Sequence, residues 1–173
     1  MLESGCARRS LGTLCPTFVA VNSLELKVPP PAVALLLGVL MWLASSPATS
    51  VEVPFGPRVA VALVLVSVGL VVGLAGMVSF WRAKTTINPT KPAATSSLVT
   101  GGVFRFTRNP MYLSLLLYLL AWAVYLSNVS AVLFVPVLVL YLNQFQIKPE
   151  ERALSSLFGP EYAAYKARVR RWL

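Results

Sequence analysis

The 173-residue chain carries six acids, all glutamates, and has no His and no Asp. Ser-His-Asp triads, His-ligated metal sites and Asp-based phosphoryl transfer are therefore excluded. The side chains left that could do chemistry fall into two short clusters. The first is Thr107-Arg108-Asn109-Pro110-Met111-Tyr112. Here Asn109 suits a helix N-cap and Pro110 the first helical position, so a helix is expected to start at this point. Capping accounts for Asn109 and Pro110 but leaves Arg108 and Tyr112 on either side of a helix N-terminus, which favours anions. Snorkelling of Arg108 to a membrane boundary is the plainer account of that residue. The second cluster is Asn143, Gln146 and Glu150, at steps of three and four that place them on one face of a continuing helix. A solvated polar helix end would explain it as well. Pro149 lacks an N–H, frees the carbonyl of Phe145 and predicts a kink.

The elements that must position these clusters are hydrophobic. Residues are 57% apolar, above the roughly 45–50% of a soluble domain, and mean hydropathy is +0.72, which implies a membrane protein. Net charge is +9, but the basic residues are dispersed. A membrane surface or an anionic ligand is a better partner for them than nucleic acid. Four apolar stretches, at about 30–46, 59–81, 111–126 and 129–147, approach the ~20 residues that a span requires. The second holds Gly69, Gly73 and Gly76, small residues that let another helix pack closely. The last two stretches, parted around Ser127-Asn128, predict a tight antiparallel hairpin. It brings Arg108, Asn109 and Tyr112 to the same end as Gln146 and Glu150.

Between Arg82 and Arg108 the chain holds Arg82, Lys84, Lys91, Arg105 and Arg108 and no acid, and the tail after the fourth stretch adds six basic residues. The two remaining connections hold one, Arg58. Basic loops face the cytoplasm, so both termini, the middle loop and the polar clusters are expected there. In the tail, Gly159-Pro160 should end one helix and start another. Tyr162, Tyr165, Val169 and Trp172 then form an apolar stripe, read as an interfacial amphipathic helix within 150–172. Residues 1–28 read as an N-terminal extension and 29–173 as one membrane domain. Arg8-Arg9 before LGTLCPTFVAV has the outline of a weak signal peptide broken by Pro16; the alternative is a working protein that starts near Val21. Cys6 and Cys15 lack metal-ligand neighbours, and neither a metal site nor a disulfide framework is expected.

Leu98-Val99-Thr100-Gly101-Gly102-Val103-Phe104, Arg108-Asn109-Pro110-Met111-Tyr112, Glu150-Glu151 and Phe158-Gly159-Pro160-Glu161-Tyr162, in that order, resemble the isoprenylcysteine carboxyl methyltransferases and their phospholipid methyltransferase relatives. The resemblance covers about residue 86 to the C-terminus. It implies an all-α integral-membrane fold of about four transmembrane helices, with a helical hairpin and a cytoplasmic C-terminal helical cap. It also implies use of S-adenosylmethionine, with S-adenosylhomocysteine as product. Carried over by position, Leu98, Val99 and Phe104 would line the cofactor pocket and Asn109, Pro110, Met111 and Tyr112 would contact it. Glu150 and Glu151 would hold polar groups, and Arg108 would pair with the methionyl carboxylate or an anionic substrate group. Gln146 falls near the position where eukaryotic members place a substrate-binding arginine, and Asn109 replaces the family's usual His. Arg108, Glu150 and Gln146 are the expected catalytic set, acting on a lipid or lipidated acceptor. A carboxylate acceptor asks least of these side chains, since it needs no base. A phospholipid amine, a sterol-reductase-like reaction with a nicotinamide dinucleotide, and a non-catalytic membrane subunit are the alternatives. No Gly-rich strand-turn-helix segment for a soluble Rossmann methyltransferase is present.

Overall fold

A computed structural model describes residues 28–83 and 97–173. The readings placed on Cys6, Cys15, Arg8-Arg9, Lys84 and Lys91 lie outside the described residues. Within them the chain is helical: α1 (Pro30–Ala44), α2 (Phe55–Arg82), α3 (Pro110–Leu126), α4 (Val129–Val132), α5 (Phe134–Tyr141) and α6 (Lys148–Arg168). Pro30 and Pro31 open α1, their missing N–H groups falling where a helix has no use for them. At the other end the Ser45 hydroxyl donates to the Met41 carbonyl at 2.7 Å.

Of the four expected spans, two are helices long and apolar enough to cross a membrane: α2, of 28 residues, and the helical run from Val129 to Arg168, of 40. α1 has 15 residues and α3 has 17, about 22 and 26 Å at 1.5 Å per residue. The fourth expected span is a segmented run. Leu133 links α4 to α5, and Leu142–Ile147 is a π-helical turn that leads directly into α6. That turn stands where the kink was expected. Its wider i→i+5 pairing bonds Lys148 N to the Asn143 carbonyl just ahead of Pro149, and the chain runs on helically into α6. Inside α6, Gly159 has φ 45° and ψ −118°, a break that suits a residue without Cβ.

α3 is the centre of the bundle. Its Leu119 and Ala123 pack with Leu37 and Met41 of α1 and with Leu138 and Leu142 of the last run. The Trp122 indole donates to the Gly38 carbonyl at 3.0 Å. Against α2 the approach depends on glycine: a Cβ at Gly69 would lie 2.8 Å from the Tyr118 ring, and one at Gly76 would lie 3.1 Å from Pro110. Outward, α2 shows Leu63, Val64, Val71 and Trp81, each more than half exposed, a contiguous apolar face of the kind that marks an interaction surface.

The end of the bundle away from the two polar clusters is closed by side-chain bonds between loops. Asn128 accepts from Thr49 Oγ1 at 2.9 Å and donates to the Ser46 carbonyl at 2.9 Å. Ser127, in the left-handed region at φ 50°, donates its hydroxyl to the Val51 carbonyl at 2.7 Å. The α1–α2 connection is thus fixed to the α3–α4 turn.

Candidate active site

The polar clusters meet at the N-terminal end of α3. A 3₁₀ turn, Gly102–Arg105, reverses the chain ahead of it, with Gly102 at φ 62° and Phe104 buried. Phe104 meets Phe80 of α2 edge to face, centroids 5.2 Å apart. Its carbonyl accepts from the Tyr165 hydroxyl at 2.8 Å, so α6 holds the loop down.

Asn109 stands at the N-cap position, but its side chain does not cap. Its amide donates instead to the Arg171 carbonyl at 2.9 Å. Thr107 Oγ1 accepts from Asn109 N at 3.2 Å and donates to the same carbonyl at 3.3 Å. Arg108 N donates to the Arg170 carbonyl at 3.1 Å. The turn therefore bonds to the C-terminal segment through Thr107, Arg108 and Asn109.

Tyr112 donates its hydroxyl to Glu150. Glu151 faces two cations: Arg171 binds it through Nε at 3.1 Å and Nη2 at 2.7 Å, and Arg108 Nη1 lies 2.9 Å away. The Nε and Nη1 atoms of Arg108 are buried without an aligned hydrogen-bond acceptor. Both glutamates lie beyond the apolar stretch 129–147, and their surroundings differ. Burial pushes the Glu150 carboxyl up to about 8, opposed by the Tyr112 hydrogen bond and reinforced by Glu151. Burial would raise Glu151 too, but the hydrogen bond from Arg171 and the charge of Arg108 outweigh it and hold this carboxyl below its usual range.

These groups line one cavity of about 680 Å³. Leu98, Val99, Phe104, Arg108, Asn109, Pro110, Met111, Tyr112, Glu150 and Glu151 all contribute to its wall. From this polar end an apolar arm continues between α2 and α3 along Leu70, Gly73, Leu74, Met77, Leu115 and Tyr118, and Pro29–Pro31 border it. Gln146 is set apart: it is fully buried, donates its amide to the Val28 carbonyl at 2.9 Å and contributes nothing to the wall. The π turn rotates it off the face it would share with Glu150 on a regular helix.

Tyr162 and Tyr165 belong to the wall and were not legible as such. Their stripe was visible, but it packs with Val169 on Phe104, Leu98 and Val99 and is not an interfacial surface. Trp172 lies beyond the helix end at Arg168 and packs against the α1–α3 core. Arg171, inside a run of tail cations, gave no signal of its own.

Residues 57–161, well over half of the chain, match the phospholipid methyltransferase family. Over 108 residues the chain is 32% identical to the protein-S-isoprenylcysteine O-methyltransferase A of Arabidopsis thaliana, a match covering 62% of this chain and 54% of that one. Over 73 residues it is 37% identical to the protein-S-isoprenylcysteine O-methyltransferase of Schizosaccharomyces pombe, covering 42% of this chain and 30% of that one. A Haemophilus influenzae protein described as uncharacterized matches along its whole length, 59% identical over 63 residues and 36% of this chain. The chain thus spans about half or less of the length of the two methyltransferases. No solved structure matches it.

Proposed function

The chain belongs to the phospholipid methyltransferase family, and from that premise we propose that it transfers a methyl group from S-adenosylmethionine to a lipophilic, membrane-borne acceptor, a carboxylate first of all. One observation carries the reading: a single cavity joins a charged end, where Arg108, Tyr112 and Glu150 converge, to an apolar arm between α2 and α3. The charged end suits a polar, zwitterionic cofactor and the arm a hydrocarbon chain.

The donor set fits the cofactor. Arg108 pairs with Glu151 through Nη1 and keeps a buried Nε without an acceptor, a charged donor suited to the methionyl carboxylate. Glu150, oriented by Tyr112, can accept from ribose hydroxyls, and Leu98, Val99 and Phe104 give apolar contacts for the adenine. When bound, S-adenosylmethionine supplies a methyl carbon activated by its sulfonium, and the product is S-adenosylhomocysteine. The chain's own work is alignment. Glu151 fixes the Arg108 guanidinium, the 107–109 turn is anchored to the tail, and the apolar arm excludes water from the acceptor. A carboxylate acceptor arrives ionised and has no proton to lose.

A second reading has its own support. Glu150, pushed up to about 8, is a stronger base than an ordinary carboxylate in the fraction that is ionised, which grows as pH approaches 8, and an ammonium acceptor such as a phospholipid amine would require such a base. In either case we place the site at the cytosolic end of a multi-pass membrane protein. Incubating purified protein with methyl-labelled S-adenosylmethionine and membrane lipids tests the proposal: label should enter the lipid fraction and be released by mild base, as an ester is. Base-stable label would point to the amine. No incorporation into any lipid or lipidated peptide would remove the proposal.

A further inference from the structure

A second cavity, about 300 Å³, lies at the opposite end of the bundle, bounded by the start of α2, the end of α3 and the start of α4. Its wall is aliphatic, with Val53, Val61, Val124 and Val132, apart from Arg58, Ser127 and Asn128. Ser127 and Asn128 are committed to the loop bonds that close this end. Arg58 is not. Its guanidinium carbon sits 5.3 Å from the centroid of the Phe55 ring and 5.9 Å from that of Tyr125, while its buried Nε has no hydrogen-bond partner. Among the described residues no carboxylate pairs with it. An N–H on a charged group, taken out of water without an acceptor, is costly unless a ligand completes it.

We propose that this cavity is a binding site for an anionic phospholipid, with the phosphodiester on Arg58 and the first part of an acyl chain along the valines. The planar guanidinium, near the faces of two aromatic rings, offers a fork of donors to phosphate oxygens. The wall has no carboxylate to receive a headgroup ammonium, so a net anionic lipid is complementary and a zwitterionic one is not. The aliphatic wall gives a free phosphate nothing to bury. Val129 and Val132 in its wall are each more than half exposed, so it opens onto the apolar exterior where lipid chains lie. The site is independent of the methyl-transfer reading and is tested without it.

Full-length protein in detergent is titrated with phosphatidylglycerol, phosphatidylcholine and inorganic phosphate, and retained lipid is counted by native mass spectrometry. Phosphatidylglycerol is expected to bind about tenfold more tightly than phosphatidylcholine, the scale of one charge-assisted pair. Arg58→Gln should bring the ratio near one. Val132→Trp, which fills the groove and leaves the charge, should weaken phosphatidylglycerol binding as well and decides the matter if the Arg58 variant does not fold. Equal retention of the two lipids by the unaltered protein overturns the proposal. So does undiminished phosphatidylglycerol binding in Val132→Trp, or competition by inorganic phosphate at millimolar concentration.

Discussion

Glu150 and Glu151 are adjacent in sequence and opposite in their surroundings. Glu151 has two arginines; Glu150 has a phenol hydroxyl and burial. The Glu150 carboxyl moves from an ordinary value of 4.5 up to about 8, so the folded protein keeps a proton that the unfolded chain has lost across that interval. Stability linked to this proton is complete below about pH 4.5, falls as pH rises, and is gone above about 8. Glu150→Gln keeps an acceptor for Tyr112 but has no proton to lose. Raising the pH from 6 to 8.5 should therefore lower the melting temperature of the unaltered protein by on the order of a few °C relative to Glu150→Gln. Thermal melts in detergent measure this, and a difference that stays flat or grows in the other direction would contradict the assigned burial. The roles of the first cluster were legible to different depths. Pro110 begins its helix as its ring dictates, whereas Asn109 has an amide that can serve a cap or a distant carbonyl, and only the position of the tail decides between them.

At the scale of elements the last residues of the chain hold the site together. Arg170 and Arg171 offer their carbonyls to Arg108, Asn109 and Thr107, and the Arg171 side chain makes two bonds to Glu151. The apolar stripe of α6 was visible in the sequence because spacing of three and four residues marks one helix face. Its partner was not, because an apolar face fits lipid and protein equally well until the loop at 98–104 is seen beneath it. Gln146 lies off the cavity wall for a related reason: its spacing to Glu150 assumes 3.6 residues per turn, and the π turn at Leu142–Ile147 breaks that count. If the tail positions Arg108, deleting residues 170–173 should weaken S-adenosylhomocysteine binding about tenfold or more, on the scale of losing one charge-assisted pair. Arg171→Gln, which keeps the backbone bonds, should weaken it by less. Isothermal titration gives both values, and undiminished affinity after the deletion would show that the turn keeps its shape without the tail.

Among the described residues the helices of the bundle show apolar side chains outward and approach one another tightly inside, and charge is sorted between the two ends. The cavity with Arg108, Glu150 and Glu151 lies at one end together with Arg82, Arg105 and the basic tail, while the other end has Arg58 as the basic residue of its connections. Composition made the helical class legible, since 57% apolar residues in long uncharged runs leave few other ways to satisfy the backbone in lipid. The number of crossings was less legible, because apolar stretches of 15 and 17 residues occur both as buried core helices and as short spans. Charge asymmetry predicts which end faces the cytosol. With Cys6 and Cys15 replaced by Ser, single cysteines at two exposed positions report on this: Glu161→Cys in the tail and Val53→Cys in the α1–α2 connection. A membrane-impermeant maleimide should modify Glu161→Cys in inside-out vesicles and Val53→Cys in right-side-out ones. Labelling of both from the same face would mean that an even number of the three elements between them, α2, α3 and the run from Val129, crosses the membrane; labelling of both in right-side-out vesicles would put the tail and its cavity on the side where S-adenosylmethionine is not made.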